Sequence, residues 1–225
     1  MGKIIAIEGI DGSGKNTQSN NILKAYQTRG LKVSKMSFPA YEKTFFGKEV
    51  GHYLNGRFGG IDDVHPKLSA MLYAGDRFEC KPELQRKLAD GEVVILDRYV
   101  HSNVGYQTAK LPVEERADMR RWIEQLEYDV YGLPKPDVVI FLDVPPATSA
   151  ELVLKKEARS YTDKKKDLHE ENDSYLAKVY SVFKEIAASD DRWVTINCFA
   201  DGQLRTQEEI FHSIESVLRD QQLLG

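Results

Sequence analysis

The stretch Gly9-Ile10-Asp11-Gly12-Ser13-Gly14-Lys15-Asn16-Thr17 constrains this chain more than any other part of it, because it joins the apolar run Ile4–Ile7 directly to a segment of helical period. Strand, glycine loop and helix form the context in which a G-x-x-x-x-G-K-S/T pattern binds phosphate. The glycines let successive backbone N–H groups converge on one concave nest, and the following helix adds the positive end of its dipole. Lys15 is then placed to reach β- and γ-phosphates, so residues 9–17 are all candidate nucleotide contacts. The pattern departs only at Asn16, where a Ser or Thr hydroxyl ordinarily meets Mg²⁺. An Asn carbonyl is also a hard oxygen ligand, one carbon further out. Thr17 leaves the helix about 100° further round. Either residue stands as the metal-side group.

Four more apolar runs follow the first: Val33–Phe38, Val93–Leu96, Val138–Leu142 and Trp193–Ile196. They are rich in Val and Ile and lack in/out alternation, as strands covered on both faces do. Longer helical-period segments separate them, over 15–29, 66–90, 113–131 and 206–218. The pattern implies an α/β fold, a five-stranded parallel sheet with helices on both faces. Pro82 predicts a break in the 66–90 segment near Lys81-Pro82. In 113–131 the residues Trp122, Ile123, Leu126 and Val130 form one predicted apolar stripe. With 225 residues and no linker or repeat, the chain reads as one domain over 1–225.

Composition narrows the function. A net charge of −4 and pI near 5.8 give no concentrated basic excess for binding nucleic acid. No apolar stretch reaches the length that spans a bilayer, and the first residues do not read as a signal peptide. Cys80 and Cys198 have no metal-ligand spacing and read as reduced thiols of a cytoplasmic protein.

Two further features carry chemistry. Asp97-Arg98-Tyr99 follows the third apolar run, so its acid stands at the strand tip that faces the ligand crevice of an open α/β sheet. Arg98 offers a planar fork matched to phosphate oxygens. The segment 155–167 carries five lysines and Arg159 with almost nothing apolar. It reads either as a solvated charged loop or as a lid that closes over phosphates.

Taken together, Gly9–Thr17, Phe38-Pro39-Ala40-Tyr41, Leu72-Tyr73-Ala74-Gly75-Asp76-Arg77, Asp97-Arg98-Tyr99 with Ser102, Asn103 and Tyr106, Leu142-Asp143-Val144-Pro145-Pro146, and the basic stretch ending in His169-Glu170 resemble thymidylate kinase. The matches run through nearly the whole chain in the family's order. The resemblance implies a phosphate-loop nucleoside monophosphate kinase that passes the γ-phosphoryl of ATP to thymidine 5′-monophosphate (dTMP), on the route to dTTP, with Mg²⁺ as cofactor. It also implies a homodimer. Carried over, Tyr73 stacks on thymine, Arg77 donates to its O4 and Asn103 reads the base edge. Tyr106 packs beneath the deoxyribose, and Leu54 and Ser102 join the substrate contacts. Phe38, Tyr41 and Arg98 border the acceptor phosphate. Asp11 lies near the 3′-hydroxyl and the metal, Glu170 is the second metal-side carboxylate, and Asp97 organises the metal's water and Arg98. Lys15, Arg98 and Arg159 supply catalytic positive charge.

The chain departs from the family in two places. Ala40 and Tyr41 stand where an arginine commonly follows Phe-Pro, and Gly12-Ser13 stand where some members carry an arginine. In members without that loop arginine the lid usually supplies it, which favours the lid reading of about 155–168 and makes Arg159 its catalytic guanidinium. The rival readings are another small-molecule kinase and a nucleotide-dependent switch protein. No Asn-Lys-x-Asp guanine motif supports the switch.

Overall fold

The computed structural model of the protein describes residues 2–154, 173–200 and 202–223. All five apolar runs become strands of one parallel sheet: β1 (Lys3–Glu8), β2 (Val33–Ser37), β3 (Val93–Asp97), β4 (Val138–Asp143) and β5 (Trp193–Asn197). Their spatial order is β2-β3-β1-β4-β5. The helices are α1 (Lys15–Thr28), α2 (Phe45–Leu54), α3 (Pro66–Ala89), α4 (Val100–Thr108), α5 (Val113–Glu124), α6 (Pro146–Leu154), α7 (Asp173–Ala187) and α8 (Gln207–Asp220). A short antiparallel hairpin, β6 (Phe199–Ala200) with β7 (Gln203–Leu204), precedes α8 and has no counterpart in the sequence reading. Arg159, Glu170 and the lid about 155–168 lie outside the described residues.

Alternation along each strand sends side chains to opposite faces of the sheet. Ile4 and Ala6 of β1 join Val94, Leu96, Val139 and Phe141 in a core covered by α3, α4, α5 and α7. Ile5 and Ile7 join Ile95, Ile140 and Leu142 under Ile22 and Tyr26 of α1 and Ile210, Ile214 and Leu218 of α8. The central strands β1, β3 and β4 are covered on both faces, whereas the edge strands β2 and β5 are only partly buried.

Two expectations fail. The segment around Pro82 is one continuous helix, Pro66–Ala89. Pro82 stands on its exposed side, where the kink and lost hydrogen bond cost least, while Cys80, Leu84 and Leu88 anchor both sides of it to the sheet. The stripe in 113–131 ends early, because α5 passes into a π-helical segment, Gln125–Val130. The Tyr131 amide bonds back five residues to Leu126 O at 2.9 Å. The wider turn shifts the period beyond Glu127, which is buried at i+4 from Ile123, and leaves Val130 68% exposed.

Phe183 of α7 is the brace between these layers. It is fully buried, stacks on Phe141 of β4 at 5.8 Å and meets Tyr106 of α4 edge-on at 6.3 Å. Gly105 makes room for it, since a Cβ there would lie 2.8 Å from the ring. Phe183→Ala is expected to cost about 3–5 kcal/mol, read as a lower urea midpoint at unchanged slope.

Candidate active site

The register pairs Ile7 of β1 with Asp97 of β3, so the loops leaving these two strands start side by side at the carboxyl edge of the sheet. This is where open parallel sheets place their ligands. In the first loop Gly12 and Gly14 take φ of 85° and 89°. A Cβ at Gly12 would come within 2.4 Å of Ser149 O, so side chains are barred there by space as well as by conformation. Ile10 is fully buried and Ser13 nearly so. Lys15 opens α1 with its ammonium inside the loop, donating to Gly9 O at 3.0 Å and Ile10 O at 2.7 Å.

Glu8, the last residue of β1, joins the two loops. Its carboxylate is fully buried and accepts from the amides of Tyr99 at 2.8 Å and Ser102 at 3.2 Å, while Ser102 Oγ donates to Oε2 at 2.5 Å. It thus serves as an N-terminal cap for α4 supplied by another strand. Burial pushes the Glu8 carboxyl above its ordinary range, opposed by the Ser102 hydrogen bond and the Arg98 charge. The sequence reading missed Glu8. An acid ending a buried apolar run was the available signal, the same signal that identified Asp97.

Between Asp97 and the capped helix, Arg98 adopts φ 68°, a left-handed conformation uncommon outside glycine. Its amide bonds Ile7 O at 3.1 Å. Its guanidinium reaches across the crevice to Asp11 Oδ1 at 2.5 Å and donates to Ser102 Oγ at 3.2 Å, with the Tyr106 ring 5.3 Å from Cζ. The Tyr106 hydroxyl donates to Asp11 Oδ2 at 2.6 Å and accepts from the Asp11 amide at 3.1 Å. Burial alone would lower the Arg98 pKa, but Asp11 above all, with Tyr106, Asp97 and Glu8, raises it well above normal. Ser102 and Tyr106, expected as substrate contacts, therefore also hold Glu8, Arg98 and Asp11 in place.

A second group lies between α3, α4 and the π-helical segment. Arg77 is buried and donates from Nε and Nη2 to the Glu127 carboxylate at 2.5 and 2.6 Å, which leaves both N–H groups of Nη1 and one of Nη2 for other partners. The acids nearest Arg77 in sequence, Asp76 and Glu79, bond elsewhere. Asp76 accepts from the Ala40 amide at 3.0 Å and from Thr44 Oγ1, fixing the loop after the cis Phe38-Pro39 bond, and Glu79 holds the first amides of α2. Asn103 Nδ2 donates to Glu127 at 2.8 Å and Ala70 O at 3.0 Å, while its Oδ1 is buried without a partner. Tyr41 and Tyr73 pack with buried Leu54 in one small cluster under α2, and Phe38 lies 6.2 Å from the Tyr99 ring. Glu127 was missed too; an acid set inside the apolar stripe 122–130 was its signal.

On the metal side, Asn16 is exposed and its Oδ1 accepts from Lys35 Nζ at 2.6 Å. Lys35 also bonds Asn20 Oδ1 at 2.9 Å and stands 3.7 Å from Asp97 Oδ2. Burial pulls its pKa down, against the pull of Asp97. Asn16, Asp97, Asp11 and Thr17 bring oxygen atoms of the kind that suits a hard cation such as Mg²⁺.

Residues 7–210 match the family model described as thymidylate kinase. The thymidylate kinase of Mycobacterium tuberculosis (strain ATCC 25618 / H37Rv) is 32% identical over 205 residues, covering 88% of this chain and 92% of that protein. The probable thymidylate kinase of Archaeoglobus fulgidus is 31% identical over 216 residues, 96% of each chain. A solved thymidylate kinase structure from Candida albicans superposes with a TM-score of 0.76 at 22% identity, covering 100% of this chain and 94% of that one, and so shares the fold.

The far end of the α4 face gives a pH signature. Lys110 Nζ bonds Tyr53 Oη at 2.6 Å and Ser69 Oγ at 3.1 Å, and burial lowers its pKa to about 7 against the pull of Asp62. The folded state then binds fewer protons than the unfolded chain between pH 7 and about 10, so this group adds stability as pH rises through that window. The stability advantage of Lys110→Met over the wild type is expected to shrink by about 1 kcal/mol per pH unit from pH 7 to 9, measured by denaturant unfolding.

Proposed function

The chain belongs to the thymidylate kinase family and transfers a phosphoryl group from ATP to dTMP, giving dTDP, and on that premise we propose how its residues divide the work. Phosphoryl transfer of this kind is governed by placing donor and acceptor in line and neutralising charge on the moving group. The acceptor is already a phosphate oxyanion, so no strong general base is needed. Lys15 and the amides of residues 9–17 take the ATP phosphates. Arg98, swung over the crevice from its left-handed turn, takes the acceptor phosphate with Phe38 and Tyr41 beside it. Asp11 and Tyr106 fix its reach. Asn16 or Thr17, with Asp11 and Glu170, are the residues that would hold Mg²⁺, Asp97 organising its water shell; the ion supplies charge neutralisation on the phosphates when bound. Arg159, on a lid of about 155–168, supplies the remaining guanidinium.

The observation that carries the base assignment is the buried Arg77–Glu127–Asn103 constellation. Glu127 consumes two of the three Arg77 nitrogens and one Asn103 donor. What remains is a set of donors, both N–H groups of Arg77 Nη1 and the second of Nη2, and one acceptor, Asn103 Oδ1. Those are the complements of the thymine O4 carbonyl and N3–H, with Tyr73 for stacking. Cytosine presents an amino group to a donor and a bare nitrogen to an acceptor.

Leu68, Met71 and Phe78 leave one side of α3 apolar and exposed, with Phe45 on α2 beyond it, which supports a homodimer through these helices. No helix among the described residues is long and apolar enough to cross a membrane. Buried, unpaired Cys80 and Cys198 suit a reducing compartment, and the proposed location is the cytoplasm. Neither nucleic acid nor a membrane is proposed as a partner.

ADP release from ATP with a panel of acceptors tests the assignment. dTMP is expected first, dUMP next, with CMP and AMP at least tenfold lower in kcat/KM. Arg77→Ala is to reduce dTMP and dUMP together and flatten the base preference. A wild-type enzyme that takes CMP as well as dTMP contradicts the base assignment. Arg159→Ala is expected to lower kcat by about a hundredfold with dTMP binding nearly unchanged; near-normal turnover would remove Arg159 from the mechanism.

A further inference from the structure

Lys35 stands in the middle of the edge strand β2, between Ser34 and Met36. Its side chain is only 13% exposed. The ammonium is held from two elements at once. On α1 it meets Asn16 Oδ1 at 2.6 Å and, one turn on, Asn20 Oδ1 at 2.9 Å. On β3 it stands 3.7 Å from Asp97 Oδ2. Asn16 and Asp97 are the residues that the preceding reading gives to the metal side, and this inference rests on that reading. A Ser or Thr at position 16 would end short of β2. The longer Asn amide presents its oxygen to the lysine, and Asn20 repeats the contact at i+4, on the same face of the helix.

We infer that Lys35 is a resident cation that tunes the metal side of this site: it orients Asn16 and Asp97 and repels a free divalent ion from them, so that Mg²⁺ enters already bound to the nucleotide phosphates. A hydroxyl in the phosphate loop leaves room for the ion on the protein; an amide already engaged by an ammonium does not. Like charges competing for the same oxygens disfavour one another unless added negative charge joins them, and the β- and γ-phosphates bring that charge. Lys35 is a positioning residue in this role, acting on the metal through Asn16 and Asp97.

The test is the affinity of the nucleotide-free full chain for Mn²⁺, read from the free-ion electron paramagnetic resonance signal. The wild type is expected to bind weakly. Lys35→Met and Lys35→Gln are both expected to bind at least tenfold more tightly, since both remove the charge and Gln keeps hydrogen-bonding capacity toward the two Asn side chains. Lys35→Arg, which keeps the charge, should stay near wild type. Unchanged or weaker binding in either uncharged variant overturns the inference, with thermal unfolding confirming that the variant is folded. Adding Asp97→Asn to Lys35→Met separates this from the reading beneath it. Loss of the gained affinity supports both. Gained affinity that survives Asp97→Asn places the ion elsewhere and overturns the metal-side assignment together with the inference. Should the Lys35 variants not respond while Asp97→Asn weakens Mn²⁺ binding in the presence of ADP, the metal-side assignment stands and only Lys35 loses its role.

Discussion

A carboxylate with no exposed surface at the end of β1 fixes the geometry of this kinase. Glu8 is one residue before the phosphate loop, and it accepts the amides of Tyr99 and Ser102 that begin α4. Those bonds hold the turn between β3 and α4 closed around Arg98, whose left-handed backbone costs of order 1–3 kcal/mol and persists only where its surroundings over-determine it. The same residue that terminates the strand before the phosphate loop therefore shapes the loop that carries Arg98, the arginine proposed for the acceptor side. Donor and acceptor sites are set relative to one another by one side chain and by the sheet register beneath it.

The pattern recurs elsewhere in the site. Asp76 fastens the loop after Pro39 to α3, Asp11 receives Arg98 and the Tyr106 hydroxyl, and Glu127 forks to Arg77. In each case a buried or half-buried carboxylate is matched to donors from a distant part of the chain. Burying an ion pair gives little net stability, and breaking one leaves a costly lone charge. Such pairs are better understood as aiming devices. They keep Arg77 and Arg98 in one orientation, the preorganisation on which charge stabilisation in a dry site depends.

How much of this could be read from the sequence follows the range of the interactions. The five strands and the phosphate loop were legible because their signals are local: short Val/Ile runs, glycines at fixed offsets, a helix opening at Lys15. The site residues came from ordered motifs, and the structure brings Asp11, Arg98, Ser102 and Tyr106 together and sets Arg77 beside Asn103, while Arg159 and Glu170 lie outside the described residues. Glu8 and Glu127 carried only the signal of an acid at a strand end or in an apolar stripe, and what each of them and Lys35 holds depends on partners on other elements. The π-helical segment was hidden for a different reason. One extra residue in a turn leaves no mark in composition, yet it turns Val130 outward where the α-helical period would bury it. Pro82 misled because its cost depends on which side of the helix it occupies.

The most direct measurement of the central claim is turnover of Glu8→Gln against Glu8→Ala, with unfolding of both followed by circular dichroism. Gln retains an oxygen for the Tyr99 and Ser102 amides and an NH₂ for the Ser102 hydroxyl, so the account predicts kcat within several-fold of wild type. Ala removes the cap and frees the Arg98 turn, and kcat should fall by about a hundredfold or more in protein that is still folded at the assay temperature. A folded Glu8→Ala enzyme with wild-type turnover would contradict the claim that this carboxylate sets the geometry of the site.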